Sequence, residues 1–339
     1  MPSGPLVTIA IPTLAAGDLL EACLAALNLQ TFRDFEVVIV NNGGPSIAFR
    51  SPSDLSVPVR IEEPGSNTGF GGAINLVLRT STAPLIATLN DDTEPDSEWL
   101  EALVREFQAD PRVGMCASKI QLFRTGFLDS AGMLISLDGS SKQRGGGQPE
   151  TCFPASEDTL CPSGCAALYR REMLEESGSF DEDFFLYCED TDLGLRARRL
   201  GWGCRYAAAA RVRHHYSRTA GPASALKAYF VERNRLWVAL KNFPAIILPV
   251  VPFVTLVRYF WQLAAVRARK GAASEFVGSG NSLFTTVRIV GRAYRDTWLS
   301  LPSLLRKRRN IQRTSRIGSL EFIRLLRRYR IAARDIARA

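Results

Sequence analysis

Histidine is almost missing from this 339-residue chain, which has only His214 and His215, side by side. Adjacent residues on a strand point to opposite faces, so at most one of the two can serve a site. Cysteine occurs without a usable pattern. The 7 residues are odd in number, and the tightest group, Cys152, Cys161 and Cys165, has spacing that suits neither zinc nor a disulfide framework. Reduced, buried thiols in a cytoplasmic protein are expected. The N-terminus, Met1-Pro2-Ser3-Gly4-Pro5, leads into a strand with no basic and apolar leader. The uncharged run Asn242–Val257 contains Pro244, Pro249 and Pro252. It falls short of the roughly 20 residues a membrane span needs, which leaves a re-entrant or interfacial segment. Acidic residues are scarce at one end. Residues 241–339 carry 20 Lys and Arg against 4 Asp and Glu, whereas residues 1–240 carry 22 against 30. A basic end of this kind meets an anion: a membrane surface, nucleic acid or a phosphorylated substrate.

What is present organises around Leu85-Ile86-Ala87-Thr88-Leu89-Asn90-Asp91-Asp92. Its first half reads as a buried strand, and its second half sets an amide and two carboxylates at the strand's carboxyl end. Ligands of open α/β sheets bind there. Such carboxylates suit a hard divalent cation carrying a diphosphate; a solvated acidic turn before Pro95 is the other reading. Leu6–Thr13 and Phe35–Val40 are further apolar strands, and Leu19, Leu20, Cys23, Leu24 and Leu27 between them recur at helical spacing. Strand, helix, strand with apolar strands implies parallel pairing. Asp18 and Glu21 form a capping-box pattern. Val57–Glu62 is a third strand. Asn67-Thr68-Gly69-Phe70-Gly71-Gly72 is a glycine-rich turn opening a helix over 73–80. It serves helix entry or a close backbone approach to a ligand, and its glycines do not have dinucleotide spacing.

Trp99–Ala109 is an amphipathic helix and Val113–Ile120 a strand. Residues 123–160 read as a loop-rich, mobile insertion. A second acidic cluster, Asp181 to Asp192, interleaves carboxylates with Phe184, Phe185 and Tyr187. Glu189, Asp190 and Asp192 open a helix, where acids complement the macrodipole. That accounts for one or two of them. Aromatic surroundings can also desolvate a carboxylate and raise its pKa towards that of a general base. His214 ends a strand over 207–213.

Together these stretches resemble glycosyltransferase family 2 over about residues 6–240. Val7–Thr13 is similar to the family's opening strand and Pro-containing turn, and Val37–Asn42 to its base-contacting strand end. Asn67–Asn75 resembles its Asn-x-Gly-Phe-x-x-Ala-x-Asn motif, and Asn90-Asp91-Asp92 its Asp-x-Asp motif. Tyr187–Leu193, with Arg196, Gly201-Trp202 and His214, resembles its acceptor-side block. The pattern is most similar to rhamnosyltransferase-type members acting on polyprenyl-diphosphate-linked saccharides. The resemblance implies a GT-A fold, a mixed, mainly parallel α/β sheet over 1–240, with a helical, membrane-proximal extension over 241–339. It implies an inverting transfer from a dTDP- or UDP-linked sugar in surface-polysaccharide synthesis. Pro12, Thr13, Asn41, Asn67, Gly69, Asn90 and Asp91 would contact the donor. Asp92 and His214 would hold Mg²⁺ or Mn²⁺. Asp190 would be the base with Glu189 beside it, and Gly164, Asp192, Arg233 and Arg235 would face the acceptor. Asn41 and Asn90 stand where many members carry Asp. Arg233 and Arg235 suit an acceptor phosphate or a solvated helix face.

In the tail, Phe322, Leu325, Leu326, Tyr329, Ala332, Ala333 and Ile336 form an apolar stripe flanked by arginines. That stripe, with Arg306-Lys307-Arg308-Arg309, predicts contact with an anionic membrane at the cytoplasmic face; a packed helical hairpin is the other reading. A sugar-nucleotide nucleotidyltransferase would need a glycine- and lysine-rich triphosphate loop near the N-terminus, and none is present. A nucleic-acid-binding tail leaves the acidic clusters unexplained, so no nucleic-acid partner is expected.

Overall fold

A computed structural model describes residues 4–15, 17–44, 56–216, 224–269, 271–278 and 281–338. They form two compact units, one of residues 1–132, 143–197 and 201–218, the other of 133–142, 198–200 and 219–339. The division therefore falls before residue 240, because the helix over 225–242 spends its polar residues inside the second unit.

The first unit is built on one mixed sheet. Its strands are β1 (Val7–Thr13), β2 (Phe35–Asn41), β3 (Val59–Glu62), β4 (Leu85–Leu89), β5 (Thr93–Pro95), β6 (Val113–Leu122) and β7 (Leu128–Ser130), then, past β8 (Met133–Ile135) and β9 (Ser141–Gln143), β10 (Glu157–Asp158), β11 (Ala166–Arg170) and β12 (Gly203–His214). β8 and β9 pair separately as a hairpin. The main path is β10-β12-β6-β11-β4-β1-β2-β3. β4, β1, β2 and β3 run parallel, β12 runs parallel to β6, and β11 is antiparallel to both β4 and β6. β4 thus lies in the middle, and every residue of it is buried. Its continuous apolar run is what a strand covered on both faces requires.

The helices are α1 (Asp18–Asn28), α2 (Gly69–Thr80), α3 (Trp99–Ala109), α4 (Arg171–Ser177) and α5 (Glu189–Arg199). Leu20, Leu24 and Leu27 of α1 and Trp99, Leu103 and Phe107 of α3 join Ile9, Ile39, Ala87 and Leu168 in one core. Buried Trp99 keeps its indole N–H satisfied by donating to Ser118 Oγ at 2.8 Å. The capping box does not form. Gly17 is the N-cap of α1, and no side chain caps it. α2 starts at Gly69, so the glycine-rich turn is already its first turn. The stretch 123–160 is built into the fold: β7 pairs with β6, β10 pairs with β12, and Asp129 and Asp138 are buried.

The second unit contains α6 (Ala225–Asn242), α7 (Val251–Arg267), α8 (Gly271–Gly278), α9 (Leu283–Thr314), α10 (Ser319–Arg328) and α11 (Ala333–Arg338). A buried charge cluster lies inside it. Arg258 Nε meets Asp138 Oδ2 at 2.7 Å and its Nη2 meets Glu232 Oε2 at 2.8 Å. Arg235, fully buried, pairs with Glu232 and donates to the Asp138 carbonyl at 3.1 Å. Burial works against the Glu232 charge, but Arg235 and Arg258 hold its carboxyl down at about 2. Arg235 is therefore a structural residue, contrary to the phosphate-binding expectation. Arg233 lies against Trp237 at 4.2 Å and Phe230 at 5.0 Å.

The tail stripe also faces inward. Phe322, Leu326, Tyr329 and Ala333 are buried, and the Arg199 guanidinium lies 3.9 Å over the Phe322 ring. Arg308 of the basic run is buried too, donating to the carbonyls of Leu240 at 2.8 Å and Phe243 at 2.6 Å. The stripe is the seam of a packed helical extension, which overturns its reading as a membrane-facing surface. The apolar segment before it is longer than its sequence boundaries indicated. Residues Ala245–Arg267 are 23 long and, by length and composition alone, long and apolar enough to cross a membrane.

Candidate active site

The site sits at the carboxyl ends of β1, β2 and β4, where parallel strands leave their last residues facing a common crevice. Thr13 ends β1, and its hydroxyl donates to Asp91 Oδ2 at 2.5 Å. Asp91 is pushed up to about 6 by burial, against the pull of the Thr13 hydrogen bond and with the help of the Asp92 charge. Asn41 ends β2. Its Nδ2 donates to the Gly44 carbonyl at 3.2 Å, while its buried Oδ1 has no partner among the described residues. A buried acceptor left open costs about 1–3 kcal/mol, and an amide oxygen can accept from a donor such as the N3–H of a pyrimidine. Pro12 lies one residue inside the β1 end, in register with Val40 of β2.

The loop between β3 and α2 is held from both sides. Asn67 Oδ1 accepts from the Gly69 N–H at 2.8 Å. Asn42, next to Asn41, donates to the Gly69 carbonyl at 3.0 Å and accepts from Thr68 Oγ1 at 3.0 Å. Gly69 has φ +72°, and a Cβ there would lie 2.1 Å from the Phe185 carbonyl oxygen. The Phe70 N–H donates to that same oxygen at 2.9 Å. Asn75 of α2 pins the next stretch, bonding Phe180 O at 2.8 Å and Glu182 Oε1 at 2.9 Å. These contacts set the segment that precedes α5. Within it Phe185, Tyr187 and Cys188 all have positive φ, at 64°, 68° and 68°. Non-glycine residues in that region cost about 1–3 kcal/mol each, and such strain clusters at functional sites.

Asp92 and His214 face each other. His214 ends β12, and its Nε2 lies 3.2 Å from Asp92 Oδ1 while its Nδ1 lies 2.8 Å from Asp129 Oδ2. Burial opposes an imidazolium here, yet the Cys165 sulfur, Asp129 and Asp92 outweigh it and raise the His214 pKa well above its ordinary value. Burial also lifts the Cys165 pKa. That residue stays a neutral thiol, and the two carboxylates carry the effect. His215 turns the other way, to Glu94 Oε1 at 2.9 Å and onto the Phe123 ring at 3.8 Å. Among the described residues no group of three or more His, Cys, Asp and Glu side chains forms a metal cage. An oxygen and a nitrogen ligand at a strand end do fit a cation that completes its shell with substrate phosphate and water.

Asp190, in the first turn of α5, is fixed at both oxygens. Oδ2 accepts from the Gly164 N–H at 3.0 Å; Oδ1 accepts from the Thr191 N–H at 2.6 Å and from Thr191 Oγ1 at 3.2 Å. Burial raises its pKa against those hydrogen bonds. Glu189 is raised by burial and by the Asp190 charge, and its buried Oε2 has no partner. Gly164 is thus a partner of Asp190, and Asp192 is placed differently from the expectation. Asp192 is fully buried against Arg196 Nε at 2.8 Å, and Arg196 in turn holds Ser179 O at 2.6 Å. It braces the 177–185 segment through Arg196.

The two acidic clusters meet across two residues. Gly164 bonds Asp190, while Cys165 accepts from the Asn90 N–H at 2.8 Å through its carbonyl and lies beside His214. Asn42, Asp129 and Cys165 were not singled out from sequence. Asn42 appeared there only as the last residue of a matched strand end, and Cys165 only in the cysteine spacing.

The family model described as "Glycosyl transferase family 2" matches residues 8–178. The N-acetylglucosaminyl-diphospho-decaprenol L-rhamnosyltransferase of Mycobacterium tuberculosis is 29% identical over 250 residues, covering 66% of this chain and 80% of that protein. The O-antigen chain rhamnosyltransferase RfbN of Salmonella typhimurium is 26% identical over 235 residues, 66% of this chain and 70% of its own. Among solved structures, the mannosyltransferase PcManGT from Pyrobaculum calidifontis, in complex with GDP-Man and Mn²⁺, superposes with a TM-score of 0.51 at 17% identity over 91% of this chain and 88% of that one. The strand order, the crevice at the β-strand ends and the family match agree: the chain has the GT-A fold and belongs to glycosyl transferase family 2.

Proposed function

We propose that this glycosyltransferase moves a sugar, rhamnose in the first instance, from a dTDP- or UDP-linked donor to a hydroxyl of a polyprenyl-diphosphate-linked saccharide, with inversion. The supporting observation is the meeting of the two acidic clusters at Gly164-Cys165. The rhamnosyltransferases it resembles support the choice of sugar. Asn41 offers its open Oδ1 to the donor base, with Pro12, Thr13, Asn67, Gly69, Asn90 and Asp91 around the nucleotide. Asp92 and His214 would hold a Mg²⁺ or Mn²⁺ ion, with Asp129 fixing the ring. A bound cation supplies charge neutralisation to the departing diphosphate.

Asp190 takes the proton from the acceptor hydroxyl at Oδ2 or Oδ1. Its three hydrogen bonds aim the carboxylate, and its raised pKa strengthens it as a base. Glu189, its neighbour in sequence, is buried, and burial and the Asp190 charge raise its carboxyl pKa. The lipid-linked acceptor places the enzyme at the cytoplasmic face of a membrane.

A thermal-shift screen of nucleoside diphosphate sugars with Mn²⁺ tests the reading. A donor at 100 times its Kd adds about 2.7 kcal/mol of stability. The expected result is a shift with dTDP-rhamnose that needs Mn²⁺ and disappears in Asp92→Ala. No shift with any donor, or an equal shift in Asp92→Ala, overturns it.

A further inference from the structure

The helical unit turns an apolar face outward that its own packing leaves bare. On α7 the inward side is fixed. Val251, Thr255, Arg258 and Ala265 are buried, and Arg258 is held by Asp138 and Glu232. On the opposite side Phe253 is 70% exposed, Leu256 64%, Phe260 63% and Leu263 53%. The spacing 253, 256, 260, 263 is one stripe of a helix. From Ala245 to Val266 the only charged residue is the buried Arg258. α9 adds Phe284 and Trp298, 70% and 74% exposed, and the exposed Arg288, Arg292 and Arg295. Arg267 and Arg269, also exposed, close the far end of α7.

We infer that α7 lies flat in the surface of an anionic bilayer, its Phe253-Leu256-Phe260-Leu263 stripe among the acyl chains and the arginines of α7 and α9 at the headgroups. Large apolar patches rimmed by basic residues mark lipid surfaces, and each Lys or Arg near an anionic leaflet contributes about 1 kcal/mol. Two other occupants fit worse. A helix crossing the membrane would have to carry Arg258 into lipid and leave Asp138 and Glu232 buried without it. A second copy of this chain would bring one region with 20 basic and 4 acidic residues against another like it. The inference rests on the proposed lipid-linked acceptor only for its purpose, because seating the stripe in the leaflet brings the enzyme to the surface that holds such an acceptor.

Flotation with phosphatidylcholine vesicles, with and without phosphatidylglycerol, tests it on the full chain. Wild-type protein is expected to float with the anionic vesicles, in part even at high salt, since salt screens charges but not apolar insertion. The variant F253S/L256S/F260S/L263S should partition roughly a hundredfold less. Circular dichroism unchanged from wild type controls for folding, as all four side chains are exposed. The inference is overturned if wild-type protein stays at the bottom of the gradient, if the variant floats equally well, or if the stripe mediates a dimer that the variant dissociates. Flotation without sugar transfer would sink the proposed reaction and leave the lipid surface standing. Transfer to a short-chain soluble acceptor without flotation would do the reverse.

Discussion

Replacing Asp190 by Asn exposes how the proposed base is held. The two side chains are nearly the same shape, yet their hydrogen-bonding capacity differs. Both Asp190 oxygens accept from N–H groups, Oδ1 from Thr191 and Oδ2 from Gly164 at 3.0 Å. An Asn can keep its oxygen on the Thr191 side, where two donors converge. Its NH₂ then faces the Gly164 N–H, donor against donor. Losing that bond and leaving the amide unpaired costs about 1–3 kcal/mol of stability. For a chain of this size each kcal/mol moves Tm by roughly 2–4 °C. The loss of the base removes about 10²–10⁴-fold in transfer. Calorimetry and a radiolabelled transfer assay, with donor binding as a control, separate the two effects. The Asp190→Asn variant should still bind the donor, melt several degrees lower and transfer at least a hundredfold more slowly. Turnover within about tenfold of wild type would refute the assignment, since no amide can accept that proton. Since the proposed base works ionised and burial raises its pKa, wild-type kcat/KM should fall as pH drops through a value above that of an ordinary aspartate. A profile flat down to the ordinary range would remove the buried base from the mechanism.

Gly69→Ala should destabilise by about 2–4 kcal/mol, because the Cβ meets the Phe185 carbonyl at 2.1 Å and φ is +72°; urea denaturation measures it, and transfer should fall further than donor binding. Asp129→Asn should weaken Mn²⁺ binding about tenfold or more by freeing the His214 ring, as titration calorimetry without substrate would show; unchanged affinity would mean that Asp129 does not orient a ligand. Arg258→Met should cost about 3–5 kcal/mol at neutral pH, since Asp138 and Glu232 lose a partner. The depressed Glu232 pKa means that its ion pairs stabilise above the ordinary carboxylate pKa and fade as pH falls towards about 2. The gap between variant and wild type in urea should therefore narrow in acid, and a gap independent of pH would refute the ionic account.

Several features could be read from the residues alone. Continuous apolar runs such as Leu85–Leu89 can only be strands covered on both faces, and Asn90-Asp91-Asp92 must then fall at the carboxyl edge where parallel sheets bind ligands. The adjacency of His214 and His215 already allowed only one to face the site. Local sequence could not decide which polar groups become partners. Asp129 lies in a stretch with no periodicity, and only β7 pairing with β6 carries it to His214. Arg235 and Asp192 looked like ligands for phosphate and acceptor, because charge is visible in a sequence while burial against Glu232 or Arg196 is not. The two apolar stripes of the helical extension show the same limit. Phe322-Leu326-Tyr329 and Phe253-Leu256-Phe260-Leu263 have the same helical spacing, yet the first is buried and the second exposed. Periodicity gives a helix an apolar side, and tertiary packing alone decides whether protein or solvent lies against it.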